Sequence, residues 1–413
     1  NKPGYNGSPK ADPAQLEWTN APTGGRPAPG TGNLDGATAG NLSFGTAASS
    51  ATGNGASGNF TYDEVGYFRF RVNGIYDNTF AAASGDVAGS DCIVGSFSNT
   101  LDASGKYGCS FGNTGASNHF GRFTPNHFDT AVTQACAAGN FTYAGQLIPL
   151  SISARNLAGG TAVNFSGAFA KQITLTARDS ADTITSPGPG AFASDTVLPG
   201  LFTGGVASPT PTYTFNSPQT APSEVRVRAL DTDGVSSLRT APAVTVEGVA
   251  RLRSGRARLG NAYGSELLDL PVPFRTEYWA GASGWAVNSA DTCTDATLSF
   301  AQVGATNITA STCVIEPGNV SGKGCAVAPA VANRKYLESG VTGTDSNGVA
   351  GFAGNFNLWL RAPGSGNAGT IRVDALVPSW LQFNWTGTVG NPSARATFGV
   401  YRSGPIIHRR EMY

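Results

Sequence analysis

The chain has 413 residues and carries 27 acidic and 27 basic residues, so it has no net charge at neutral pH. Its basic residues are dispersed, which argues against a nucleic-acid partner, and no apolar run reaches the roughly 18 residues of a membrane-spanning helix. Charged residues make up only 13% of the chain and glycines number 55, a composition typical of turn-rich β-structure. The length predicts two to four domains.

Residues 1 to 58 are dominated by Gly, Ala, Asn, Ser, Thr and Pro. Such a segment buries too little apolar surface to offset roughly 1 to 2 kcal/mol of backbone entropy per residue. We expect an extended, low-complexity segment that is ordered by a neighbouring copy of the chain, with Trp18, Leu42 and Phe44 as intersubunit anchors. The alternative is that the same side chains wrap the segment around the chain's own first β-domain.

Residues 59 to 140 form a predicted β-domain with long loops. Phe68 and Phe70 alternate with arginines, the pattern of a half-buried strand. In a later part of this domain His119 and His127 each precede a phenylalanine, and with Arg122 they are candidates for lining a polar pocket. A structural role is the favoured interpretation for histidines beside aromatic residues in a β-protein.

The six cysteines include no C-x-x-C pair, and the chain has only three histidines, so disulfides are favoured over a zinc site. Disulfides predict an oxidising, extracellular compartment. Proximity across Gly-rich loops favours a Cys92–Cys109 bond, worth about 3 kcal/mol for a loop of this size. It also favours Cys313–Cys325, with Cys293–Cys313 as an alternative.

Residues 141 to 247 have the strand spacing of an immunoglobulin-like sandwich. Leu150 alternates with Ile152, and Val225 with Val227, between turns that carry Gly or Pro. The runs DTDG, beginning at Asp231, and DSNG, beginning at Asp345 in the following domain, resemble the start of calcium loops. Asp and Asn before Gly are also ordinary turn formers, so we keep the turn interpretation and expect no metal or other cofactor.

Residues 248 to 413 form a predicted C-terminal β-sandwich. Alternating arginines and small or apolar residues run from Arg251 to Leu259, and the following segment "LLDLPVPF" contains two prolines that suit an edge strand. Four tryptophans lie here and are candidates for glycan-facing rings: Trp279, Trp285, Trp380 and Trp385. In a sandwich, tryptophans more often pack in the core.

Two segments of this domain carry a family resemblance. "GRARLGNAYGSELLDLPVPFRTEYW" and the closing "PSARATFGVYRSGPIIHRREMY" resemble MshQ-type proteins encoded with mannose-sensitive haemagglutinin (type IV) pilus systems. Weaker matches are "TYDEVGYFRFRV", "GRFTPNHFD" and "FTYAGQ", so the resemblance extends from about residue 59 to the end. It implies a secreted, surface-associated β-protein, and it supplies no catalytic residues.

The chain contains none of the common catalytic motifs, such as G-x-S-x-G, H-E-x-x-H or a phosphate-binding loop. Glu266 and Glu277 lie near tryptophans, as the two carboxylates of a glycosidase do, but their spacing across a turn gives them no reason to face one site. The sequence therefore predicts a non-enzymatic protein.

Together these patterns predict an all-β protein of two or three consecutive immunoglobulin-like β-sandwich domains after an extended Gly/Ala-rich segment. The expected role is that of a structural or adhesive component of a pilus or extracellular filament. Its partners would be other copies of the chain or pilus proteins. A glycan-binding adhesin module is the alternative.

Overall fold

The structure is a computed structural model that describes residues 7–19, 34–36, 44–45, 55–79, 89–181, 186–239, 247–315, 337–338, 354–356 and 358–399. In these ranges the chain is built from 33 strands and has no α-helix. Short 3-10 turns occur at Pro13–Gln15, Pro199–Leu201, Gly281–Ser283 and Ser379–Leu381. No helix in these ranges is long and apolar enough to cross a membrane. The predicted all-β class, with consecutive immunoglobulin-like sandwiches, is confirmed.

The first unit, the N-terminal module, extends to residue 123. Its strands are short: β1 (Lys10–Ala11), β2 (Leu16–Thr19), β3 (Leu34–Gly36), β4 (Phe60–Tyr62), β5 (Gly66–Phe70), β6 (Ile75–Asp77), β7 (Cys92–Ile93), β8 (Tyr107–Gly108), β9 (Phe111–Gly112) and β10 (Phe120–Phe123). They form two three-stranded sheets, β1-β6-β9 and β10-β5-β2, and the pairs β3-β4 and β7-β8. The predicted alternation in β5 is present, because Phe68 and Phe70 are buried while Tyr67 and Arg69 are half-buried.

The described parts of the N-terminal segment pack in this module, whereas the sequence predicted a separate segment ending at residue 58. Strand β2 pairs with β5, with Leu16 opposite Phe70 and Trp18 opposite Phe68. Trp18 and Phe44 pack against the module's own core. This packing is what the alternative predicts, in which the segment wraps the chain's own first β-domain, and an edge of β5 satisfies the backbone of β2. An intersubunit role for these side chains stays a prediction. Leu42 lies outside the described residues.

The second unit is the first sandwich. Its strands are β11 (His127–Val132), β12 (Thr142–Tyr143), β13 (Leu150–Arg155), β14 (Ile173–Asp179), β15 (Gly190–Ala193), β16 (Thr196–Val197), β17 (Val206–Ala207), β18 (Thr212–Phe215), β19 (Ser223–Asp231) and β20 (Val249–Arg253). The sheets are β11-β13-β17 and β12-β20-β19-β14-β16, with β15-β18 as a further pair. Inward-facing residues of both sheets, such as Ile152 and Val227, are fully buried.

The third unit is the second sandwich. Its strands are β21 (Gly255–Leu259), β22 (Ala262–Gly264), β23 (Leu270–Pro271), β24 (Phe274–Trp279), β25 (Trp285–Val287), β26 (Asp295–Val303), β27 (Leu337–Glu338), β28 (Asn355–Phe356), β29 (Trp359–Leu360), β30 (Gly369–Leu376), β31 (Phe383–Asn384), β32 (Val389–Gly390) and β33 (Ser393–Phe398). One sheet is β21-β24-β25, with β28 also on β24, and the other is β22-β33-β30-β26-β27. The pairs β23-β29 and β31-β32 complete the unit.

The two sandwiches share one strand arrangement. In each, an early short strand pairs in parallel with the last strand: β12 with β20, and β22 with β33. In each, the last strand then pairs antiparallel with the long strand before it. The sequence shows no exact repeat, so the likeness lies in the topology.

Two predicted boundaries need correction. The boundary at residue 140 falls between β11 and β13, which pair along their whole length, so the first sandwich begins with β11. The boundary at residue 247 precedes β20, which is the last strand of the first sandwich. The division between the sandwiches lies instead at Ser254, the one residue that separates β20 from β21.

The N-terminal joint, between the N-terminal module and the first sandwich, depends on the turn before β5. Val65 inserts into the core of the first sandwich. The buried Glu64 carboxylate accepts the backbone N–H groups of Val163 at 2.9 Å and Asn164 at 3.0 Å. A cleft of about 560 Å³ remains beside this turn, lined by residues of both units. Among the described residues, packing and hydrogen bonds rather than a disulfide hold this joint, and it borders an open cleft.

Candidate functional site

The outer face of the small sheet of the second sandwich gathers the most distinctive side chains. In the β21-β24 pair, Arg256 stands opposite Glu277 and Arg258 opposite Arg275. Because side chains alternate along a strand, these residues share one face, while their neighbours Ala257, Leu259 and Phe274 are buried in the core. We define the outer face by six side chains: Arg256, Arg258, Arg275, Glu277, Trp279 and Trp285.

Glu277 lies at the centre of this face and is 1% exposed. Arg256 donates to one carboxylate oxygen at 2.7 Å and Arg275 to the other at 2.7 Å. Burial would raise the pKa of Glu277, but the hydrogen bonds from these two arginines outweigh it and hold the pKa below its usual range. A buried carboxylate whose two oxygens both accept hydrogen bonds from arginines suits a structural role.

Aromatic rings continue the face away from Glu277. Trp279 packs on Trp285 at 5.6 Å between ring centroids, Trp285 on Phe383 at 5.2 Å, and Phe383 on Trp385 at 5.1 Å. The Arg256 guanidinium lies 4.1 Å from the centre of the Trp285 ring and 5.1 Å from that of Trp385. We call these four rings the aromatic row; they meet edge to face, and Trp385 is 37% exposed.

Three of the four tryptophans singled out by sequence therefore come together. The fourth, Trp380, packs against the core of the second sandwich instead. Sequence reasoning missed Phe383 and the central position of Arg256. The signal for Phe383 was its spacing of two from Trp385, but nothing local placed the short strand β31 beside β25.

The sandwich joint, between the two sandwiches, is the second notable feature. Cys136 of the first sandwich forms a disulfide with Cys293 of the second, across a sequence separation of 157. The side chains of Phe141 and Tyr143, also from the first sandwich, pack in the core of the second sandwich. A Cβ atom at Gly255 would collide with the Tyr143 ring, so glycine permits this close approach. The joint is covalent and closely packed.

A buried polar network completes the sandwich joint. The Tyr143 hydroxyl donates to Asp291 at 2.8 Å and accepts a hydrogen bond from Asn288 at 2.6 Å. Asp291 also accepts from the Thr294 hydroxyl at 2.6 Å, and Arg253 donates to Asn288. Burial, followed by the neighbouring Asp291 carboxylate, raises the pKa of Tyr143 well above its usual range, so the phenol stays a neutral donor.

The disulfides differ in part from the sequence expectations. Cys92 and Cys109 are joined, as their spacing suggested. The alternative Cys293–Cys313 pairing is wrong, because Cys293 is bonded to Cys136. Cys313 is disulfide-bonded, and Cys325 lies outside the described residues, so the Cys313–Cys325 bond stays a prediction.

The described residues considered as metal ligands have structural partners. In the part of the chain that the structure describes, only Cys136, Asp291 and Cys293 are grouped closely enough for a metal, and both sulfurs are in the disulfide. Asp231 accepts the backbone N–H groups of Asp233 and Val235, as a turn requires. The run beginning at Asp345 lies outside the described residues.

Of the three residues considered as candidates for a polar pocket, His127 and Arg122 have partners within the fold. His127 is buried and lies 3.0 Å from the Asn126 side-chain oxygen and 3.4 Å from the Asp129 carboxylate. Burial lowers its pKa, which favours the neutral ring. Arg122 pairs with Asp233 instead.

These features define the class of protein: tandem immunoglobulin-like sandwiches behind a smaller β-module, with the sandwiches joined covalently. Residues 94–249 match the third domain of the DUF6701 family and residues 253–412 match its fourth domain. The two matches together span well over half of the chain, which therefore belongs to the DUF6701 family. The gap between them falls within β20, beside the sandwich joint.

Among solved structures, the chain is similar to FdeC, an adhesin of Escherichia coli, with 12% identity, a TM-score of 0.32, and coverage of 96% of this chain and 94% of that one. It is also similar to the I-band fragment I67-I69 of titin, with 8% identity, a TM-score of 0.22, and coverage of 81% and 73%. No curated protein matches the sequence. At these scores the function has to be argued from the chain itself.

Proposed function

We propose that the protein is a secreted, surface-associated and non-enzymatic component of a pilus or other extracellular filament, with a structural or adhesive role. Its partners in this proposal are other copies of the chain or pilus proteins. The resemblance to MshQ-type proteins motivates the association with pili, and the sandwich joint is the observation that carries the structural role.

The sandwich joint suits a protein that holds a fixed shape outside the cell. Disulfides persist in oxidising compartments, and Cys136–Cys293 links two units rather than stapling a loop within one. The strands β20 and β21 are separated only by the buried Ser254. An inter-domain contact that is covalent and buried keeps the two sandwiches in one orientation, as a structural component requires.

A non-enzymatic role is supported by the partners of the residues that would do chemistry. Glu277 is fully occupied by arginines, and His127 is buried beside Asp129. Asp291 serves the polar network of the sandwich joint.

One observation favours the second candidate, a glycan-binding adhesin module. The aromatic row reaches the surface at Trp385, beside arginines that remain partly exposed. Sugar-binding sites use exposed aromatic faces beside hydrogen-bonding side chains.

The experiment is performed in the cells that produce the protein. Antibodies against the second sandwich are applied to intact cells and to purified filaments, and a deletion strain is tested for surface attachment. We expect labelling of intact cells and weakened attachment that the wild-type chain restores. Complementation with Cys136→Ser/Cys293→Ser should restore attachment less well than Cys92→Ser/Cys109→Ser, which removes a disulfide within one module. Labelling only after lysis, together with normal attachment of the deletion strain, would contradict the proposal.

A further inference from the structure

The outer face has more positively charged than negatively charged side chains. Three guanidinium groups surround a single carboxylate, that of Glu277. Arg258 and Arg275 stand directly opposite each other on paired strands. Like charges in this position repel and destabilise a sheet, so the pair lowers stability unless a further anion lies over it.

Glu277 cannot neutralise all three arginines. Its two oxygens accept hydrogen bonds from Arg256 and Arg275. Arg258 reaches Glu277 only at 3.7 Å, beyond hydrogen-bonding distance. The side chains of Arg258 and Arg275 are 51% and 39% exposed, so their remaining donors face the solvent. An arginine fork of this kind binds a carboxylate or sulfate in bidentate fashion.

The aromatic row lies immediately beside these donors. Arg256 touches both regions, since it binds Glu277 and lies over the Trp285, Phe383 and Trp385 rings. Trp385 is the most exposed of these rings and presents an apolar surface to a ligand. The site therefore offers charge recognition and ring stacking side by side.

We propose that the outer face, together with the aromatic row, binds an anionic polysaccharide whose sugar rings carry carboxylates. A carboxylate of the ligand lies between Arg258 and Arg275, and a neighbouring pyranose ring packs on Trp385. Positive charge selects an anionic ligand, and the aromatic ring selects a sugar over a simple ion.

An acidic peptide is the competing ligand, and the geometry favours the polysaccharide. Peptides commonly gain affinity by main-chain pairing with a sheet edge. The proposed contacts are side chains instead: Arg275 comes from β24, which is bonded to β21, β25 and β28, and Trp385 lies outside the strands. Side-chain recognition without main-chain pairing suits a sugar polymer lying across the sheet.

The test measures binding of the full chain to polygalacturonate, with neutral dextran and poly-L-glutamate for comparison, by isothermal titration calorimetry. We expect polygalacturonate to bind, dextran not to bind, and affinity to fall as salt rises from about 50 to 300 mM. Arg258→Gln/Arg275→Gln should weaken binding about tenfold or more, since charge-assisted hydrogen bonds are lost. Trp385→Ala should weaken it about fivefold through lost stacking.

Matched controls come from the opposite sheet of the same sandwich. Arg372 is 54% exposed and Tyr263 is 59% exposed, so Arg372→Gln and Tyr263→Ala should leave the affinity within about twofold. Arg258→Gln alone is a milder variant that keeps Arg275 on Glu277, and it should still weaken binding. Circular dichroism and thermal unfolding establish that each variant is folded.

Three results would overturn the inference: no binding of polygalacturonate, equal binding of dextran, or equal losses in the control variants. Tight binding of poly-L-glutamate that is unchanged in Trp385→Ala would also overturn it and assign the face to acidic peptides. The inference stands apart from the proposed structural role, because antibody labelling and attachment through protein partners do not depend on this ligand.

Discussion

The two joints of this chain achieve connection by different means. At the N-terminal joint, Val65 inserts into the first sandwich and Glu64 accepts two of its backbone N–H groups beside an open cleft. At the sandwich joint, a disulfide and a buried network around Tyr143 and Asp291 connect units that are separated by one residue of chain.

The difference concerns cooperativity. A contact with few buried groups and solvent nearby opens locally at low free-energy cost, whereas a packed, cross-linked contact opens only with its units. We therefore expect the two sandwiches to unfold as one unit and the N-terminal module to separate from them more easily. The following predictions test this contrast from its largest expected effect to its smallest.

Removing the disulfide of the sandwich joint should have the largest effect. Chain-entropy reasoning assigns about 5 kcal/mol to a loop closed over 157 residues. Cys136→Ser/Cys293→Ser should lower the free energy of unfolding by about this amount and separate the two sandwiches into distinct urea transitions. Far-UV circular dichroism reports both sandwiches, whereas tryptophan fluorescence reports the second one, because the first sandwich contains no tryptophan. The matched control, Cys92→Ser/Cys109→Ser, opens a loop of 17 residues and should cost about 3 kcal/mol. A smaller loss in the first variant than in the control would contradict the contrast.

Truncation of Asp291 comes next. Asp291 is fully buried and accepts hydrogen bonds from Tyr143, Thr294 and backbone N–H groups. Asp291→Ala leaves these donors unsatisfied, so the free energy of unfolding should fall by about 3 kcal/mol, measured by urea denaturation. Asp374→Ala removes an exposed ion pair in the same sandwich and should cost less than about 1 kcal/mol. Equal losses of unfolding free energy in the two variants would show that the buried network does not contribute to stability beyond an exposed ion pair.

The N-terminal joint should respond to Glu64→Ala. The change removes the acceptor for Val163 and Asn164, at a cost of about 1 to 3 kcal/mol. Hydrogen exchange of these two amides should accelerate, while the Thr294 amide of the sandwich joint keeps its protection. Glu17→Ala breaks a partly exposed ion pair in the same module and serves as the control. Loss of protection at Thr294 would mean that the joints open together.

The smallest effect is a pH dependence at the same carboxyl group. Burial raises the pKa of Glu64 above its usual 4.5, although three backbone N–H groups act to lower it. The folded state then binds the proton more tightly than the unfolded state. This contribution to stability is complete below pH 4.5 and is lost as the pH rises through the raised pKa.

Protection of the Val163 amide, corrected for intrinsic exchange, should therefore decline as the pH rises through this window. Glu64→Gln has no titrating proton, so its profile should lack the decline. Protection that instead increases with pH in the wild type would contradict this sign.

Local alternation explains how much of the fold the sequence predicted. Leu150 with Ile152, and Val225 with Val227, are buried as their spacing of two required. The N-terminal segment was misjudged because composition measures what a segment can bury by itself. Strand β2 instead gains its partners from β5, more than 45 residues away, with Glu17 opposite Arg69.

The candidate site was predictable in its members but not in its arrangement. Trp279, Trp285 and Trp385 were identified as surface candidates, yet their meeting with Arg256 depends on β31 lying beside β21 and β25. The Cys136–Cys293 bond and the Tyr143–Asp291 hydrogen bond each join residues more than 140 positions apart. No local pattern specifies which distant loops meet.

The parallel pairing of an early strand with the last strand has a consequence for biosynthesis. In the first sandwich, Thr142 stands opposite Leu252, so this sheet is complete only after about 110 further residues have been made. Contacts between residues so far apart in the chain slow folding and leave early strands unpaired during translation. The same arrangement recurs in β22 and β33. Each sandwich can therefore close only after its own final strand has been made, and synthesis from the N-terminus imposes the order in which the two units close.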